Sequence, residues 1–155
     1  MRSLCAPIIA VLLTAPLAAY LAPEIPLETR ARSAQRVVVG TVVQQSPRFH
    51  TNEFGDRLIV TDVMVRVDET LKGAPVDLVD VVIEGGTIGT LTLEVSDMPV
   101  FKGNERAVLF LDAAAGGFVP HRRGLGILKL DRGEQVEGTT LTLADVRRAV
   151  RSVAR

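Results

Sequence analysis

The sequence has 155 residues, 47% of them apolar and 23% charged, and its 18 basic and 18 acidic side chains cancel. That composition excludes a disordered chain and predicts one globular domain, while zero net charge removes the electrostatic basis for binding nucleic acid or an anionic membrane surface. Aromatic residues make up only 4% and tryptophan is absent, which argues against a broad surface for stacking bases or sugars.

Residues 1–22 read as a secretory signal peptide. Arg2 supplies the positive start, an apolar run follows from Leu4 to Leu13, and Pro16 and small residues lead to a cut between Ala19 and Ala22. The unbroken run is too short to span a membrane, so no stable span is expected after cleavage. The protein is therefore expected to be exported, to the periplasm or beyond. Cys5 is the only cysteine and lies ahead of the apolar run. The remaining chain has no thiol, so apolar burial and not disulfides must hold it together.

Residues 23–34 contain two prolines and mixed charge and read as an N-terminal arm or linker, with the folded domain at 35–155. QRVVVGTVVQ at 35–44 is apolar on both faces and rich in β-branched residues, which predicts a strand; Gly40 within it marks a bulge or bend. Residues 45–57, QSPRFHTNEFGDR, carry proline and turn chemistry and read as a long loop. LIVTDVMVRVDETLKG at 58–73 then alternates, with Ile59, Thr61, Val63, Val65 and Val67 on one side and only Met64 breaking the polar side. A strand of this length must bend or bulge, and Glu69 on the apolar side marks the place.

A third strand is expected in VDLVDVVIE at 76–84 and a fourth around Leu91, Leu93 and Val95, after the glycine break at Gly85, Gly86 and Gly89. AVLFLD at 107–112 is apolar on both faces and predicts a central strand. FVPHRRG and LGILKLD predict two short strands or one broken strand, with Pro120 keeping the first away from a central position. Thr142 and Asp145 match a capping box, and Val146, Ala149, Val150 and Val153 recur at helical spacing. A short C-terminal α-helix is expected there, with arginines on its outer face.

No chemistry stands out. His50 and His121 are the only histidines, no HExxH or cysteine pair accompanies them, and neither a metal site nor a cofactor is implied. No G-x-S-x-G elbow is present. GGTIG at 85–89 leads into an alternating segment and not a helix, which excludes a phosphate cradle. Two binding candidates remain. Phe49, His50 and Phe54 lie in the long loop, where aromatic residues either tuck under it or meet a partner. His121, Arg122 and Arg123 form a smaller basic patch.

The order of motifs resembles the OB-fold-like module shared by the tissue inhibitors of metalloproteinases and the netrin C-terminal domains, and is closer still to exported bacterial proteins of that type. The matching features run over residues 36–130: RVVVGTVV, the long loop, the alternating strand ending in ETLKG, a glycine break, and Pro99-x-Phe101-x-Gly103-x-Glu105 leading into AVLFL. The resemblance implies a mainly β fold, a five-stranded Greek-key barrel with the long loop at one rim. It does not carry the zinc-chelating inhibition of the animal proteins, which uses an N-terminal cysteine that this chain lacks after residue 5. The expected function is that of an exported, non-enzymatic module recognising a protein partner, such as a protease or an envelope component, through loops at the barrel rim. The alternatives are an oligonucleotide or oligosaccharide binder and, further off, a hydrolase using His50 or His121.

Overall fold

The computed structural model describes residues 25–154. The expected signal peptide, residues 1–22, lies outside them. In chain order the elements are α1 (Leu27–Ser33), β1 (Arg36–Thr51), β2 (Arg57–Lys72), β3 (Leu78–Glu84), β4 (Gly86–Ile88), β5 (Leu91–Leu93), β6 (Arg106–Ala114), β7 (Gly117–Pro120), a 3-10 turn (Arg123–Gly126), β8 (Ile127–Leu130) and α2 (Leu143–Val153).

Six strands form one sheet in the order β1-β2-β3-β7-β6-β8, and β1 also pairs with β6. Five strands therefore close a ring, β1-β2-β3-β7-β6, with β8 outside it. All pairings in the ring are antiparallel except β3 with β7, which is parallel. The short β4–β5 hairpin is a separate two-stranded sheet.

The doubly apolar segments are explained by two cores. Inside the ring, Val38, Val63, Val65, Val81, Leu109 and Leu111 pack together with Phe101. Against the outer face of β1 and β6, Val37, Val39, Val108 and Phe110 pack on Ala31 and Ala34 near α1 and on Leu143, Val146 and Val150 of α2. Successive side chains of a strand point to opposite faces, so β1 and β6 need apolar residues at every position because both faces are covered.

The long central strand bends as its length required. Val38 pairs with Thr70 but Val37 with Lys72, and Val39 pairs with Glu69 but Gly40 with Val67. One extra residue of β2 is thus inserted on each side of Glu69. Glu69 is turned towards α2, where it accepts three charge-assisted hydrogen bonds from Arg147, the shortest 2.7 Å. Gly40 is required at the bend because a Cβ there would lie 2.5 Å from Val65 Cγ1 and 2.6 Å from the Arg66 carbonyl oxygen.

Three expectations are revised. Residues 45–51 are strand and not loop: β1 continues to Thr51, paired with β2 throughout, and only a tight turn at 52–56 separates them. Polar sequence disguised this strand because most of its side chains are exposed, yet its main chain is paired all the same. Pro47 fits because the pairing with β6 ends at Thr41, which leaves one edge of β1 needing no donor there. Next, β7 lies within the ring between β3 and β6 despite Pro120, which stands at its last position, beyond the single β3 contact at Val81–Phe118. Finally, residues 27–33 are helical and packed, with Ala31 and Ala34 fully buried. Lys72 Nζ donates to the carbonyls of Ala31, Arg32 and Ala34 at 2.8, 3.0 and 2.6 Å, filling acceptors left open at the helix end.

At the C-terminus the capping box forms: the Asp145 amide donates to Thr142 Oγ1 and the Thr142 amide to Asp145 Oδ2. The bonds that the Asp145 carboxylate accepts from Thr142, the hydroxyl's first and then the amide's, hold this carboxyl below its ordinary range. No helix among the described residues is long and apolar enough to cross a membrane.

Candidate functional site

The β1–β2 hairpin outruns the ring and carries the first group of candidate residues. Its turn is fixed by Asn52. The Asn52 side-chain oxygen accepts from the amides of Phe54 and Asp56 at 3.0 and 2.8 Å, and its amide group donates to Asp56 Oδ2 at 3.1 Å. Main-chain bonds from Asn52 to Asp56 and from Gly55 to Asn52 complete the closure, with Gly55 at φ +87° supplying a conformation that side chains resist. Phe54 projects from this turn and is 81% exposed.

Phe49 and Phe54 are not equivalent. Phe49 sits on the stem, 37% exposed, with the Arg57 guanidinium 3.8 Å from its ring centroid. That cation–π contact and the strand beneath it make Phe49 part of the hairpin's own packing. His50 follows in the strand and faces the opposite side, the face that Arg48 shares with Val60 across the pair.

On that face the structure joins the two groups of candidates. A groove of about 310 Å³ runs along the outer side of β2, β3 and β7, and both His50 and Arg123 line it. Its floor is apolar, from Val60, Val82, Met98, Val119 and Pro120, and Glu84 stands beside Arg123 at one wall. Arg123 donates to both Asp97 oxygens at 2.7 and 3.1 Å, and its Nη2 lies 2.8 Å from Glu84 Oε2. The hydrogen bonds from Arg123 hold the Asp97 carboxyl below its ordinary range, and Asp97 in turn raises the Arg123 guanidinium.

The three residues of the expected basic patch go to three environments. His121 is nearly enclosed, its side chain 11% exposed, with Nδ1 2.7 Å from Asp112 Oδ2. Its Nε2 meets no hydrogen-bonding partner among the described residues and touches no solvent. Arg122 is exposed, and Arg123 is occupied by its two carboxylates. Arg122 and Arg123 both adopt the left-handed region, at φ 54° and 60°. Glycines allow the tight path that follows: a Cβ on Gly124 would overlap the Asp97 carbonyl oxygen, and one on Gly126 would lie 2.5 Å from the His121 carbonyl oxygen.

Glu84 and Met98 complete the groove, and Asp97 stands behind it on Arg123; none of the three was singled out by sequence. They come from the end of β3 and from a loop, and no spacing pattern links them to His50 or Arg123. Among the described residues no three His, Cys, Asp or Glu side chains converge to hold a metal ion. No protein-family model matches the chain. A search of curated proteins likewise finds no match.

Proposed function

We propose that the chain is an exported, non-enzymatic binding module that recognises a protein partner through the rim of an OB-fold-like barrel. The partner belongs to its exported surroundings, a protease or an envelope component. The ring supports the barrel reading: numbered in chain order, its five strands run 1-2-3-5-4 and return to 1, a Greek-key path. The leader-like residues 1–22 support export.

The observation that carries the binding reading is Phe54. A large apolar side chain, 81% exposed on a turn clamped by Asn52, is held ready before any partner arrives. Preorganisation of this kind lowers the entropy lost on association. Two rigid strands hold both ends of the turn, so the tip projects without having to fold on contact. The oligonucleotide or oligosaccharide reading lacks such support, because Val60, Val82 and Glu84 on the groove face offer no stacking ring.

The test is photocrosslinking from position 54 in the exported fraction, followed by binding measurements on the recovered protein. A single saturable adduct, competed by unlabelled wild type and not by Phe54→Ala, is expected. Absence of any saturable adduct from position 54 and from control positions on the rim would refute the reading.

A further inference from the structure

The groove below the hairpin has a chemistry of its own. β3 and β7 lie close together at Gly117, where a Cβ would lie 2.8 Å from the Asp80 carbonyl oxygen, and they share a single register pair at Val81 and Phe118. Towards Glu84 and Pro120 they form no further pair, and the groove occupies this divergence. Arg123 and Glu84 line it with His50, and Asp97 lies behind Arg123, so the arginine is outnumbered by carboxylates. Arg123 faces two carboxylates, Glu84 and Asp97, and its Nη2 serves both. Glu84 uses Oε2 for that contact, and Oε1 has no partner among the described residues.

Three classes of occupant are conceivable, and the charges choose between them. A purely apolar group would strip water from Glu84 without replacing its hydrogen bonds, which is costly. An anion would meet the Glu84 carboxylate and an arginine already committed to Glu84 and Asp97, leaving His50 as the one other basic side chain among the described residues of the lining. A long side chain with an apolar stem and a cationic head suits both parts, since such chains lay their methylenes on apolar surface and keep the charge at the rim. We propose that the groove binds a lysine or arginine side chain, with its methylenes on Val82, Met98 and Val119 and its cation on Glu84. The site extends the recognition surface beyond the hairpin tip, and it rests on the binding-module reading only for the source of that side chain.

Small probes test the site without knowing the partner. The ¹³C-methyl-labelled protein is titrated with the N-acetyl methylamides of lysine, arginine and norleucine and followed by NMR. The basic probes should shift the methyls of Val82, Met98 and Val119 saturably and bind about two- to fivefold more tightly than norleucine, the ratio expected of a half-exposed ion pair. Glu84→Gln should remove that advantage. Because Glu84 also contacts Arg123, a second variant is needed: Val82→Lys supplies an ammonium from the protein itself and should block the basic probes. Equal binding of norleucine would overturn the cationic assignment. Groove methyls unmoved by either basic probe, or basic probes that still bind Val82→Lys as tightly, would overturn the site. Unchanged partner binding in Phe54→Ala, with probe binding intact, would fault the hairpin reading alone.

Discussion

Phe49→Ala and Phe54→Ala should behave oppositely, and the structure sets the size of the contrast. A phenylalanine buries about 150–250 Å² when fully covered. Phe54 is 81% exposed. About a fifth of its surface is covered, worth on the order of 1 kcal/mol at most by area, so Phe54→Ala should lower the melting temperature by only a few degrees. Phe49 is 37% exposed and carries Arg57 over its ring. Its covered area is worth about 2–3 kcal/mol, and Phe49→Ala should cost clearly more stability. In partner binding the order reverses: Phe54→Ala should weaken affinity by on the order of 2 kcal/mol, about thirtyfold, because an exposed aromatic anchor acts only when its pocket covers it. Denaturant unfolding and titration calorimetry on the same preparations separate the two effects. A Phe54→Ala protein that is strongly destabilised yet binds normally would refute the reasoning.

Gly40→Ala should destabilise by about 1–3 kcal/mol, because Val65 and the Arg66 carbonyl leave no room for a methyl; a urea midpoint equal to wild type would show that the bend relaxes freely. Thr142→Ala removes the side-chain half of the cap on α2 and should cost about 1 kcal/mol by the same assay. The Asp97 carboxyl is held below its ordinary value, first of all by the hydrogen bonds from Arg123. Its folded value is depressed, so its contribution is fully present above the unfolded aspartate value of 3.8 and is lost as pH falls through the folded one. Asp97→Asn should therefore lower stability at neutral pH, where the charged form contributes, and flatten the acid limb of the stability profile below that value; an unchanged acid limb would count against the pairing.

The sequence by itself determined those features that depend on which side chains are buried. Alternation located β2 and β3, and the doubly apolar segments of β1 and β6 revealed strands covered on both faces. Glu69 marked the bend in β2, and Thr142 with Asp145 marked the start of α2. Each signal is local, because a strand or helix repeats its environment every two or 3.6 residues. Pairing is different. Main-chain hydrogen bonds are open to every residue except proline, so residues 45–51 could join a strand while reading as a loop. Closure of the ring through β7, and with it the place of Pro120, depended on strand order and left no mark in the sequence pattern. The groove was decided the same way. His50, Glu84, Met98 and Arg123 lie far apart in the chain, and they meet only because β2, β3 and β7 stand side by side. The exposure of Phe54 against the partial cover of Phe49, and the turning inward of His121 beside an exposed Arg122, are likewise set by tertiary packing. Adjacent residues in a strand or tight turn face different surroundings, and only the folded chain supplies those surroundings.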